Sequence, residues 1–500
     1  MKFSPPPSPR HWTFSLSLLV FAAGCGTPPA GQLGRRIELT PCQLKAPGLP
    51  ARVPAQCGTL RVPEDRANPD SRSIELRIAV VPAVGRTPQP DPLVFLTGGP
   101  GQAATESFVQ IRGAFRRVER ERDIVLVDQR GTGSSNPLRC PKPEDTAGFW
   151  LLEDDVIEPW VATCLETLDA SPELYTTAIA MEDLDAVREA LGYERVNLYG
   201  VSYGTRAALS YLRQFPDRVR SVILDGVAPP SKNLGMDVAR DAQRALDLLV
   251  ERCGQDAACH EEFPELARDL DSLMAALAVP VPVTLRHPRT GDEETIELQR
   301  SMAAFAIRLA TYSQETASIV PLLLRSAANG DLRPLAAQFL MTTSNLDDSM
   351  ADAMGYSVIC SEDFPFFDAS AVVALNEGTY LGAVQTDSLS TLCPLWPTEP
   401  IPADFKEPVA VDVPVLLLSG EVDPVTPPSN GELVAASLPT SLHLVAPGQG
   451  HMVIHRGCIS RLAAEFIDAG SLDELDEMER SCVDDIVPQA FFTSFAGPPP

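Results

Sequence analysis

Apolar positions along this chain fall into two patterns. Some runs are apolar at nearly every position, namely Leu93-Val94-Phe95-Leu96, Arg195-Val196-Asn197-Leu198-Tyr199 and Val413-Pro414-Val415-Leu416-Leu417-Leu418. These read as strands buried on both faces, as in a parallel sheet covered by helices. Ser221-Val222-Ile223-Leu224-Asp225-Gly226 and Leu442-His443-Leu444-Val445 predict two more. Elsewhere apolar residues recur at helical spacing, directly after the second run in Thr205-Arg206-Ala207-Ala208-Leu209-Ser210-Tyr211-Leu212 and again over residues 239–250. The expected class is α/β, with a mostly parallel, doubly wound sheet.

The residues that end these strands carry the chemistry. Gly200-Val201-Ser202-Tyr203-Gly204 stands between a strand and a helix, where a sharp turn holds a serine in a strained conformation. Glycines two before and two after remove side chains that would collide with the neighbouring strand and helix. Asp423 lies just past the Val413–Leu418 run, and His451 follows the next strand in Pro447-Gly448-Gln449-Gly450-His451. Ser202 would attack, His451 would take and return its proton, and Asp423 would fix the imidazole tautomer. Of the six histidines, His11 falls in the export signal, His443 in a strand, and His260 and His287 in a middle insertion. His455 is the rival base, expected on the following helix, and Asp225 is the rival acid, because it also ends a strand. An oxyanion hole needs two backbone donors. Tyr203 supplies one, and the loop Thr97-Gly98-Gly99-Pro100-Gly101-Gln102, after what counts as the third strand, supplies the other. Pro100 has no amide hydrogen, so Gly99 is the candidate, although a Gly-Gly-Pro-Gly run also reads simply as a turn.

Together with Asp128-Gln129-Arg130-Gly131-Thr132-Gly133-Ser134-Ser135 and Gly420-Glu421-Val422-Asp423-Pro424-Val425-Thr426-Pro427, these motifs resemble the proline iminopeptidase and tripeptidyl aminopeptidase family of serine peptidases. The similarity extends to Leu60-Arg61-Val62-Pro63-Glu64-Asp65, to Tyr175-Thr176-Thr177 with Asp183-Leu184-Asp185, and to Cys360 and Cys458 as in the tripeptidyl aminopeptidase branch. Thr97 departs from the pattern, because many proline iminopeptidases carry His there. The resemblance implies an α/β-hydrolase fold with an inserted, largely helical cap. It divides the chain into a core at 41–230 and 406–485, a cap at 231–405 and a C-terminal tail at 486–500. It also implies cleavage of short peptides from a free amino terminus. Selecting an α-ammonium requires a carboxylate, and Ile359-Cys360-Ser361-Glu362-Asp363 resembles a family segment that makes Glu362 the first candidate and Asp363 the second. An acidic surface loop beside a disulfide is the competing reading. A carboxylesterase would use the same triad. A surface-binding lipoprotein on an inactive hydrolase scaffold is a further alternative, against which the intact triad counts.

At the amino terminus, Lys2 and Arg10 precede a short apolar stretch that ends in Ala22-Ala23-Gly24-Cys25. This resembles a bacterial lipoprotein signal with Cys25 lipidated, followed by a tether at 26–40; an ordinary cleaved signal is the alternative. The expected location is the cell envelope, lipid-anchored, or else secreted. Removing Cys25 from the eleven cysteines leaves an even ten, consistent with a disulfide framework. Nearest neighbours suggest Cys42 with Cys57, Cys140 with Cys164, Cys253 with Cys259, Cys360 with Cys393, and Cys458 with Cys482, with connectivity left open. A net charge of −27 argues against nucleic acid or an anionic lipid surface as partner. No metal-spaced histidine pair or phosphate-binding loop appears, so neither cofactor nor metal is expected.

Overall fold

The computed structural model describes residues 1–2, 37–141, 154–469 and 479–497. The expected lipidation at Cys25 lies outside the described residues. The strands are β1 (Thr40–Leu44), β2 (Val53–Pro63), β3 (Ser73–Val81), β4 (Leu93–Leu96), β5 (Ile124–Val127), β6 (Val196–Val201), β7 (Val219–Asp225), β8 (Val281–Arg286), β9 (Glu293–Leu298), β10 (Val415–Gly420) and β11 (Ser441–Ala446). Nine of them form one sheet in the order β1-β2-β3-β5-β4-β6-β7-β10-β11, while β8 and β9 pair separately. From β5 to β11 every neighbour is parallel, and the antiparallel pairs are confined to the β1–β2–β3–β5 side. Leu93–Leu96 is therefore the fourth strand in chain order.

The parallel part is sandwiched, and its sequence follows from that. β4, β5, β6 and β10 are buried at every position, because helices cover both faces, and their few polar residues, Asn197 and Ser419, are hydrogen-bonded in place. The helices Thr177–Leu191 and Tyr203–Gln214 pack on one face, and Ala104–Ile111 and Ile459–Asp468 on the other. β2, by contrast, alternates buried and more exposed positions, as a half-covered antiparallel strand does.

Between β7 and β10 the chain leaves the sheet to build the cap, which has its own apolar core and contains the β8–β9 hairpin as well as helices. Two boundaries differ from the expectation. Leu138, Ile157, Trp160, Val161, Cys164 and Tyr175, in a stretch assigned to the core, pack instead with the cap helix Asp352–Glu362. Trp160 there meets Tyr356 edge-on at 5.7 Å. The described part of the expected C-terminal tail, to residue 497, meets the cap, with Phe491 buried under the Arg252 guanidinium at 4.1 Å and Phe492 N–H donating to the Ser318 carbonyl. Apolar anchoring of this kind is invisible in a short Gly- and Pro-bounded segment until its partner surface exists. All five cysteine pairs join nearest neighbours. Among the described residues no helix is long and apolar enough to cross a membrane.

Candidate active site

Ser202 is the single residue between β6 and the helix that begins at Tyr203, and it adopts φ 56°. A non-glycine residue in that region is strained, so the surrounding contacts must impose it. They do so from several sides. Ser202 N–H donates to the Asp225 carbonyl of β7 at 2.9 Å, and Thr205 Oγ1 donates to the Ser202 carbonyl at 2.6 Å. A Cβ on Gly200 would stand 2.3 Å from the Gly204 carbonyl oxygen, and one on Gly204 2.2 Å from that of Leu96. Only glycine at both positions lets the helix approach β4 and β6 this closely.

The structure brings Asp423 and His451 together. Asp423 Oδ2 is 2.8 Å from His451 Nδ1, with the carboxylate fully buried. Its Oδ1 accepts the Val425 and Thr426 amides at 2.8 and 2.9 Å, and Thr426 Oγ1 donates to Oδ2 at 2.8 Å. Burial works against charge on both partners. The mutual attraction nevertheless wins: next to His451 and these donors Asp423 is held below its ordinary pKa, and next to Asp423 His451 is held above its own. Asp225 is equally buried but differently engaged. Its two oxygens accept the Val453 and Ile454 amides at 2.9 and 3.0 Å, and Tyr199 donates its hydroxyl at 2.9 Å, so it anchors the loop that follows His451. His443 lies in β11 with Nε2 beside Ser419 Oγ, and His260 and His287 belong to the cap. His455, expected on a helix, sits in an exposed turn before Ile459–Asp468.

Ser202, His451, Gly98 and Gly99 open onto one cavity of about 440 Å³ beneath the cap. Tyr203 is the first residue of its helix, so its N–H has no acceptor within the helix and is available at the turn. Gly99 lies in the facing loop, which cap and core hold jointly. Ala351 N–H of the cap donates to the Gly101 carbonyl at 2.9 Å, and Asp128 accepts the Thr105 amide and hydroxyl at 2.9 and 3.0 Å. The cap also reaches the histidine, whose N–H donates to the Tyr312 carbonyl at 2.7 Å and whose ring meets the Tyr312 ring edge-on. Tyr312 and Met350–Ala351 had no sequence signal, because their roles depend on where the cap lands, and Thr426 stood in a quoted motif without a role. The threonine alone could have been suspected, three residues after the acid.

The structure corrects the expected amine anchors. Glu362 and Asp363 are fully buried and neither lines the cavity. Glu362 accepts the Thr177 amide at 2.6 Å and the Thr177 hydroxyl at 2.9 Å, and Thr177 Oγ1 in turn lies 2.7 Å from the Tyr203 hydroxyl, which accepts from Gln129. Burial pushes the Glu362 carboxyl up to about 7 despite Arg206 at 3.8 Å. Asp363 is clamped by Arg206 at 2.8 Å and by Lys406 at 2.8 Å. The helix that carries both acids turns its last residues into the core–cap joint, so their oxygens are consumed there. Among the described residues no group of three or more His, Cys, Asp or Glu side chains is gathered to hold a metal ion.

Comparison with known proteins adds relatives to this geometry. A family model described as an alpha/beta hydrolase fold matches residues 91–457. Serine protease Hip1 of Mycobacterium tuberculosis is 26% identical over 509 aligned residues, covering 92% of this chain and 95% of its own. Tripeptidyl aminopeptidase of Streptomyces lividans is 30% identical over 230 residues, covering 41% of this chain and 43% of its own. Proline iminopeptidase of Neisseria meningitidis is 30% identical over 156 residues, 31% of this chain and 38% of its own.

Proposed function

This chain belongs to the α/β hydrolase fold family and is a serine hydrolase, and from that premise we propose that it is an exported serine exopeptidase of the aminopeptidase type. The observation that carries the reading is the buried Asp423–His451 pair opening, with Ser202, onto one cap-covered cavity. With Nδ1–H donated to Asp423, the imidazole presents its Nε2 lone pair as a base. Ser202 Oγ attacks the scissile carbonyl carbon as its proton passes to Nε2. The oxyanion is met by the N–H groups of Gly99 and Tyr203. Collapse breaks the C–N bond, the imidazolium returns the proton to the leaving amine, and water then releases the acyl group by the same route.

A cavity of about 440 Å³ lies within the range of small-molecule sites and suits a few residues rather than a folded chain. No carboxylate lines it among the described residues, so the expected carboxylate anchor for an α-ammonium is not met there and neutral oxygens are left to accept from it. Asn376 is one candidate: its Nδ2 donates to the Val372 carbonyl and to Thr386, leaving Oδ1 to accept. The names of the relatives support peptides over simple esters. Ten paired cysteines support export, because such bridges persist in oxidising compartments. We assign membrane attachment to lipid on Cys25, testable by fatty-acid labelling that Cys25→Ala abolishes.

The test of function is a panel of short peptide amides with free and acetylated amino termini, run beside simple acyl esters. Faster turnover of the free-amino peptides is expected. Activity on esters alone would make the protein a carboxylesterase, and equal turnover of blocked peptides would make it an endopeptidase.

A further inference from the structure

Arg308 stands in the cap helix Arg300–Ala310 and lines the cavity that holds Ser202 and His451. Five arginines are buried among the described residues: Arg122, Arg130, Arg188, Arg206 and Arg308. The first four each hold a carboxylate, namely Asp91, Asp183, Asp185 and Asp363. Arg308 holds none among the described residues, although it is only 9% exposed, and its Nε–H has no hydrogen-bond acceptor. Its guanidinium lies 5.6 Å from the Tyr312 ring centroid, a contact that orients the group without neutralising it. A second orphan donor is close by. The Tyr380 hydroxyl is buried without a partner, and the next residues, Leu381 and Gly382, line the same cavity.

Leaving a cation unpaired in a low-dielectric site is costly, and the other four buried arginines among the described residues avoid it by ion pairing. The cost is recovered when a ligand brings the missing anion. A planar guanidinium fork is matched to a carboxylate, which it can hold through two parallel hydrogen bonds. We propose that Arg308 is a substrate-carboxylate site in the roof of the cleft, so that the preferred substrates carry an anionic group. This rests on the reading of the cavity as the site of hydrolysis. The carboxylate has two sources, an acidic side chain or the free carboxyl terminus of a short peptide.

The experiment measures kcat/KM on matched pairs of short free-amino peptides. One set exchanges Glu for Gln at each position, and the other exchanges a free carboxyl terminus for a carboxamide. In the wild-type enzyme the carboxylate member of at least one set should be favoured ten-fold or more. Which set responds identifies the source. In Arg308→Gln the ratio should fall to near one, with Arg308→Lys in between. A wild-type ratio near one in both sets, or a ratio unchanged in Arg308→Gln, would overturn the proposal. If no peptide is cleaved, the peptidase reading fails on its own, and the same ratios are read on esters of succinic acid with a free or a methylated second carboxyl. If Arg308→Gln does not fold, the Ser202→Ala protein decides: glutarate raising its melting temperature, where glutaramide does not, supports the site, and equal shifts contradict it.

Discussion

On the floor of the cleft, Asp423 has both oxygens engaged, by His451, by Thr426 and by two amides, whereas in the roof Arg308 is largely withdrawn from water with no counter-charge among the described residues. The floor is a closed network whose members fix one another. The roof is a network with a member missing. Groups that act on every substrate can be satisfied in advance by the protein, while groups that select among substrates must be left for the substrate to satisfy. The contrast therefore separates machinery from specificity, and each half predicts a different response to substitution.

The largest effects belong to the floor. Ser202→Ala and His451→Ala should each lower kcat by several orders of magnitude on every substrate, and Asp423→Asn by about 10⁴-fold, with melting temperature little changed. Asp225→Asn sharpens the contrast between two equally buried acids. It leaves the Asp423–His451 bond intact and disturbs the anchoring of the loop after His451 and a weaker charge effect on the imidazole, so its loss should be about 10- to 100-fold. A larger loss for Asp225→Asn than for Asp423→Asn would break the assignment.

How much of this was legible in the sequence follows the same division. The floor could be read because a parallel strand buried on both faces appears as an unbroken apolar run, and Gly200 and Gly204 are required by local contacts with Leu96 and the helix start. Ser202 and Asp423 follow such strands and His451 follows the half-buried edge strand β11, so chain order brought them together. The roof could not be read. Arg308 occupies an unremarked position in an Ala-rich helix, and nothing local distinguishes it from the paired Arg206. Glu362 and Asp363 matched a family segment, yet which way their helix faces is set by Thr177, Arg206 and Lys406, all distant in sequence. The anchoring of the expected tail was hidden for the same reason, since the partner of Phe491 is the distant Arg252.

Glu362 provides a smaller test, at the joint between floor and roof. Its carboxyl, pushed up to about 7 from an ordinary 4.5, keeps a proton in the folded protein that the unfolded chain releases. Between these two pH values the folded state therefore binds more protons, and stability falls as pH rises, by roughly 3 kcal/mol, then levels off above 7. Unfolding midpoints in urea from pH 4 to 8 should follow that slope in the wild type, and Glu362→Gln should flatten it. A wild-type curve with no decline over that window would mean that the carboxylate is ionised in place.

The smallest effect is a displacement of the pH–rate profile. His451 must be neutral to act as a base, and Asp423 raises its pKa above the ordinary 6.5, so kcat/KM should climb with pH to a plateau with its midpoint above 6.5. In Asp423→Asn the residual activity should show a lower midpoint, because the charge that stabilised the imidazolium is gone. An unmoved midpoint would place the titrating group elsewhere.

The claim on which all of this depends is that the Asp423–His451 pair activates Ser202. It is tested most directly by reacting the purified protein with a fluorophosphonate and locating the adduct by peptide mapping. The account predicts a single phosphonyl group on Ser202, formed quickly in the wild type and in Arg308→Gln but not detectably over the same time in His451→Ala. An adduct on a different serine, or equal labelling of Ser202 in His451→Ala, would contradict it.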